Sequence, residues 1–140
     1  MDFLSYNKKI IAEFHENDGK CGGPFDGMDM ILITTTGAKT ARELVSPLVH
    51  TADSDGNHVI IASMGGAPKN PNWYHNLKAN PEVKVEVAGD SYTARAEITE
   101  GDDRQALYDA QAAQMPQFSD YATKAAEAGR TIPVIRLHRI

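Results

Sequence analysis

The residues with the most chemical content form one run, Ser63-Met64-Gly65-Gly66-Ala67-Pro68-Lys69-Asn70-Pro71-Asn72-Trp73-Tyr74-His75-Asn76-Leu77. An apolar stretch, Val59 to Ala62, feeds a Gly-Gly turn, and an Asn-Pro pair then opens a short helix carrying Trp73 and Tyr74. Backbone N–H groups at such a turn and at a helix start lack partners and attract anions. A ligand bearing both a phosphate and a flat ring suits that arrangement. A purely structural reading also fits: Gly65 and Gly66 turn the chain, Asn70 caps, and Trp73 fills core.

Other chemistry is missing from the pattern. There is no GxxxxGK[ST] or GxGxxG string, and Gly37-Ala38-Lys39-Thr40 matches only the end of a phosphate loop. His15, His50, His58, His75 and His138 show no metal-ligand spacing, so no metal site is expected. Ser63 precedes Gly65, but Ile61 stands where a GxSxG elbow needs glycine. His75 reads as a polar residue near a helix start, and Cys21 as an incidental thiol. Glu97, Glu100, Asp102 and Asp103 read as residues that cap and solvate a helix start. Redox chemistry would have to come from a bound cofactor.

The elements that must position these residues are short. An amphipathic helix is expected over 3–15, with Phe3, Tyr6, Ile10 and Phe14 at helical spacing. Residues 17–27 form a loop. Strands follow over Met30–Thr36, over Leu44–Thr51, where Pro47 demands an edge or a bulge, and over Val59–Ser63. A helix covers 71–79 and ends at Asn80-Pro81. Val83, Val85 and Val87 alternate with charged residues; Gly89-Asp90 turns; Tyr92, Ala94, Ala96 and Ile98 alternate on the return. Helices over 102–114 and from Pro116 to Ala128 precede Gly129 and a last strand, Ile132–Leu137. About six strands with antiparallel hairpins and four helices give a mainly β (α+β) class: a small antiparallel barrel with surrounding helices.

Composition narrows the partners. One domain spans the 140 residues, with a net charge of −5 that argues against nucleic acid. Lys39 and Arg42 make a local basic spot suited to a small anion. A single cysteine excludes an internal disulfide and fits a reducing cytosol. The first residues lack the apolar core of a signal peptide, and no aliphatic run approaches a membrane span. A cytoplasmic monomer is expected, with loose membrane association through the first helix as a weaker option.

Three segments together resemble a known family: Thr34-Thr35-Thr36-Gly37-Ala38-Lys39-Thr40, Ser46-Pro47-Leu48, and Ala62 through Pro81. They are similar to the deazaflavin-dependent nitroreductases, split β-barrel oxidoreductases of actinobacteria that use reduced coenzyme F420. The similarity runs from Gly22-Gly23-Pro24-Phe25 to Thr131-Ile132-Pro133-Val134. It implies that Lys39, Thr40 and Arg42 meet the acidic tail of the cofactor, and that Ser46 and Pro47 run along its ring. It also implies that Ile61, Ala62, Ser63, Met64 and Gly65 approach ring and phosphate, and that Asn72, Trp73 and Asn76 line the ring. Phe118 and Tyr121 match aromatic positions over the substrate. Ser63 and Tyr121 are the candidate hydrogen-bond or proton donors.

The implied reaction is hydride transfer to a small, flat, electron-poor hydrophobic acceptor: a quinone, an unsaturated lactone or enone, or a nitro compound. An FMN-binding barrel and a non-catalytic ligand-binding barrel are the alternatives. Two family cations are replaced, one by Leu44 and one by Met64, and Met115 stands where some relatives carry tyrosine. Each lost cation removes roughly 1–3 kcal/mol of charge-assisted binding.

Overall fold

A computed structural model describes residues 3–17, 19 and 30–140, with side chains from residue 7 onward. Most of the 17–27 loop, Cys21, the Gly22–Phe25 stretch and the side chains of Phe3 and Tyr6 lie outside the described residues.

Among the described residues, seven strands and four helices follow one another: α1 (Phe3–Glu16), β1 (Met30–Thr36), β2 (Glu43–Val49), β3 (Thr51–Ala52), β4 (His58–Ile61), α2 (Asn72–Ala79), β5 (Glu82–Val87), β6 (Asp90–Ile98), α3 (Gly101–Gln114), α4 (Gln117–Glu127) and β7 (Val134–Arg139). A 3-10 turn over Met64–Gly66 separates β4 from α2. All pairings are antiparallel, in the order β2-β1-β5-β6-β7-β4-β3. The two ends of that order, β2 and β3, are one chain segment broken at His50. The sheet therefore curls on itself as a split barrel, and the single strand expected over 44–51 becomes two. Pro47 sits on β2, whose one partner strand is β1, so its missing N–H costs the sheet nothing.

Strand β1 is buried on both faces, which explains why it reads MILITTT rather than alternating. Ile31 and Ile33 join Ile60, Val83, Val85, Ala94, Ile135 and Leu137 inside the barrel. Met30 and Leu32, on the opposite face, pack on Ile10 and Phe14 of α1. Val59, Ile61 and Val134 face outward against Tyr108, Phe118 and Ala125 of α3 and α4. The outer face of β5 and β6 carries Glu82, Lys84, Arg95 and Glu97, all exposed.

Charge ties a further part of the fold together. The Arg136 guanidinium on β7 donates to Asp53 (2.7 Å), Glu97 (3.1 Å) and Asp103 (2.8 Å), binding the β3–β4 turn, β6 and α3 to one point. Asp53 also accepts the Asn57 and Asp55 amides, closing the Asp53–Asn57 turn. Asp103 and Glu97 thus serve Arg136 rather than capping α3, whose N-cap Glu100 makes no side-chain cap bond.

Candidate cofactor site

Two loops at one end of the barrel carry the predicted site. The first joins β1 to β2 through Gly37–Arg42. It is closed by Gly37 N–H to the Arg42 carbonyl (2.7 Å), and the Arg42 N–H reaches Thr40 Oγ1 (3.4 Å). A side chain on Gly37 would stand 3.0 Å from that Thr40 oxygen, so the turn is too tight for a Cβ without movement. Asn76 of α2 locks this loop in place. Its Oδ1 accepts the Ala38 N–H (3.1 Å) and its Nδ2 donates to Thr35 Oγ1 (3.2 Å). Asn80 donates to the Thr36 and Gly37 carbonyls (3.3 and 3.4 Å). Lys39, Thr40 and Arg42 stay exposed on the loop. Ser46 is buried on β2, and Pro47 beside it is half-buried.

The second loop leaves β4. Ile61 and Ala62 are buried, while Met64 and Gly65 are exposed. Ser63 is right-handed helical (φ −71, ψ −44), and Met64 (φ 49), Gly65 (φ 64) and Gly66 (φ 81) are all left-handed. A right-handed residue followed by a left-handed one turns successive N–H groups to the same side, forming an anion-binding nest. Among the described residues only Ala41 and Met64 hold positive φ without being glycine, and each lies in one of these two loops. Such strain costs about 1–3 kcal/mol per residue and gathers at functional sites.

The second loop lies flat on α4. A Cβ on Gly66 would stand 2.7 Å from the Tyr121 carbonyl and 3.0 Å from the Lys124 Cβ, so glycine is required there. This contact brings half-buried Tyr121 to the turn. The loop is held from beneath by Arg130, which sequence reasoning missed. Its Nε donates to Asn70 Oδ1 (2.7 Å), and its terminal nitrogens donate to the carbonyls of Ser63 (3.0 Å), Ala67 (2.7 Å) and Ala62. Asn70 is therefore occupied by Arg130 rather than capping α2, whose N-cap is Pro71. Burial pulls the Arg130 guanidinium below its ordinary value.

The predicted aromatic residues are less available. Trp73 is 6% exposed and packs in the barrel core with Ile60, Ala62 and Leu77. Phe118 is 4% exposed, edge-on to Tyr108 and Tyr121. Both are walls of the fold rather than open stacking platforms. Asn72 is exposed at the start of α2. Two open hollows of about 500 and 480 Å³ mark the surface, one beside Thr36, Asn80 and Arg95 at the base of the first loop and one between Phe14 and Asp90. The first carries Glu82 as well as Arg95, and the second Glu86 and Asp90, so neither concentrates positive charge.

A family model described as F420H(2)-dependent quinone reductase matches residues 7–138. The chain belongs to the F420H2-dependent quinone reductase family. It is 33% identical to the F420H(2)-dependent quinone reductase Rv1261c of Mycobacterium tuberculosis over 129 residues, covering 91% of this chain and 86% of that relative. A solved F420-H2 dependent reductase, FDR-A, is 34% identical with a TM-score of 0.69, covering 78% of this chain and 93% of its own. A solved domain-swapped dimer is 29% identical with a TM-score of 0.71, covering 98% and 100%. As a family member the chain is an oxidoreductase with coenzyme F420 as its cofactor. The FMN alternative has no support, and the resemblance read from the 34–40, 46–48 and 62–81 segments holds.

The residues present fit an anionic deazaflavin. Lys39, Arg42, Lys69, Lys124 and Arg130 lie in or beside the two loops, and none of them pairs with a carboxylate among the described residues. The exposed nest at 63–65 adds backbone donors to that field.

Proposed function

We propose that the chain takes a hydride from F420H2 and delivers it to a quinone, with the anionic tail of the cofactor lying across the 37–42 and 63–66 loops. The observation that supports this most is that cations without a carboxylate partner meet, on these two loops, the only non-glycine residues of positive φ among the described residues. Lys39 and Arg42 meet the tail; an arginine suits phosphate or carboxylate bidentately. Ser46, Pro47 and the Ile61–Ser63 strand end form an apolar edge for the ring, with Trp73 fixing that edge from behind. The bound cofactor supplies the hydride. The protein positions it and excludes water on the barrel side.

A quinone that gains a hydride develops an oxyanion, which needs a hydrogen-bond donor. The hydroxyls of Ser63 and Tyr121 have no hydrogen-bond partner among the described contacts, and the Tyr121 backbone lies against the turn that Ser63 opens. We assign them as the candidate donors. A monomer is the proposed active unit. No helix among the described residues is long and apolar enough to cross a membrane, and we propose a cytoplasmic location.

Titration with oxidised F420, with FMN in parallel, tests the cofactor assignment by fluorescence. Binding of F420 at micromolar concentration with FMN at least tenfold weaker is expected. Anaerobic mixing of F420H2 with a naphthoquinone then tests turnover. Failure to regenerate oxidised F420 above the protein-free rate removes the quinone assignment.

A further inference from the structure

The place of Arg130 is dictated locally. Helix α4 ends in a Schellman motif: Arg130 N–H bonds the Ala125 carbonyl (2.9 Å) and Gly129 N–H bonds the Ala126 carbonyl (3.0 Å), with Gly129 at φ 73. Two residues later Ile132 is buried at 1% exposure, and the Pro133 carbonyl accepts the Ala62 N–H (3.0 Å). Chain direction is thus fixed on both sides of Arg130, and the side chain passes under the 62–70 segment.

Its partners are three backbone carbonyls and one side-chain amide, all neutral. No carboxylate pairs with it among the described residues. A part-buried cation normally finds a counter-ion, because desolvation is otherwise uncompensated. The trans peptide plane gives these contacts a second consequence. The C=O and N–H of one peptide unit point in opposite directions. Drawing the Ala62 and Ser63 carbonyls towards the guanidinium turns the Ser63 and Met64 N–H groups away from it, towards solvent. Neither these two nor the Gly65 N–H donates within the protein among the described contacts. The Ser63 carbonyl also accepts the Gly66 N–H (2.9 Å), which closes the nest.

We propose that Arg130 is the positioning cation of the anion site: it orients and polarises the 62–64 peptide groups so that their N–H groups, backed by its own charge, hold the cofactor phosphate. This rests on the cofactor reading above. It identifies an internal source of charge beneath the exposed 63–65 turn. Arg130 touches no ligand directly in this role. It acts through the peptide groups it binds.

The test compares wild type with R130Q and R130K using three probes: F420, the same deazaflavin without its phosphate tail, and inorganic pyrophosphate followed by 31P NMR. For R130Q the account predicts F420 affinity about 30-fold weaker, tail-less affinity changed less than threefold, and a shallower salt dependence of F420 binding. At saturating F420H2, kcat should stay near wild type while KM for F420H2 rises. R130K keeps the charge but loses the fork, and should recover part of the affinity. Should R130Q fail to fold, N70A, which frees Nε without removing charge, carries the test with a three- to tenfold loss confined to the tailed ligand. Unchanged F420 binding in folded R130Q, or equal loss of tailed and tail-less ligands, overturns the proposal. If wild type binds no F420, the cofactor reading fails, and pyrophosphate decides for Arg130. Pyrophosphate binding lost in R130Q sustains the proposal, whereas binding equal in both proteins, or absent from both, overturns it.

Discussion

Two arginines six residues apart meet opposite fates. Arg136, with 16% of its side chain exposed, is surrounded by Asp53, Glu97 and Asp103. The hydrogen bonds it donates, first to Asp103, raise its pKa further. Its charge is consumed inside the protein, and what it yields is cohesion between the β3–β4 turn, β6 and α3. Arg130 is held by neutral acceptors only, burial lowers its pKa, and its charge remains unbalanced beneath an exposed loop. The same side chain type makes a structural rivet at one place and a source of electrostatic potential at the other. The difference lies in whether carboxylates are supplied: three surround Arg136, and none pairs with Arg130 among the described residues.

That contrast can be broken from either side. The largest effect is expected for R136M, which leaves Asp53 with 6% of its side chain exposed and without its cation. A loss of about 3 kcal/mol, or roughly 10 °C in Tm, should follow, with F420 affinity within twofold of wild type. A shared loss of stability and affinity would show that the two regions are not separate. G66A should come next. The new Cβ at φ 81 meets the Tyr121 carbonyl, so the loop must lift from α4. We expect about 2 kcal/mol of destabilisation together with weakened F420 binding, in contrast to R136M.

Acid sharpens the comparison. The Arg136 hydrogen bond lowers the pKa of Asp103, and bonds from His138 and Arg136 lower that of Glu97. For Asp53, burial acts upward, but hydrogen bonds from Asn57 and Arg136 leave a net lowering. Folded-state values below the unfolded ones mean that the unfolded chain binds protons first as pH falls. Stability from these groups is complete above about pH 5 and declines below about pH 4. Urea midpoints at pH 6, 4 and 3 should fall steeply in wild type and less steeply in R136M; parallel declines would remove the network from the explanation. The smallest effects belong to exposed cations: K39Q should weaken F420 about fivefold, and M64K should tighten it by about the same factor, both with Tm within about 1 °C.

Much of this was readable in the sequence where local pattern and tertiary demand agree. The 82–98 hairpin is the clearest case, because alternation and a Gly-Asp turn both specify it. The 37–42 and 62–66 loops announce themselves through Lys39, Arg42 and the paired glycines. Residue type did not reveal which way an aromatic faces: Trp73 and Phe118 read as ring partners and are core walls. Nor did it reveal bonds across long sequence distance. Asn70 looked like a cap because it precedes a helix, yet its acceptor is taken by a residue 60 positions away. Arg130 gave one weak signal, its place directly after a helix-ending glycine, which fixes its direction without naming its target. The break at His50, which divides the expected 44–51 strand, follows from curling the sheet and has no local mark.

In the proposed complex the outward N–H groups of Ser63, Met64 and Gly65 receive the anionic part of F420. Backbone amide NMR during F420 titration tests it most directly. The account predicts large downfield amide proton shifts at those three residues, smaller shifts through Ala38–Arg42, and none at Asp53 or Arg136. Shifts confined to the hollow beside Asn80 and Arg95, with the 63–65 amides unmoved, would contradict it.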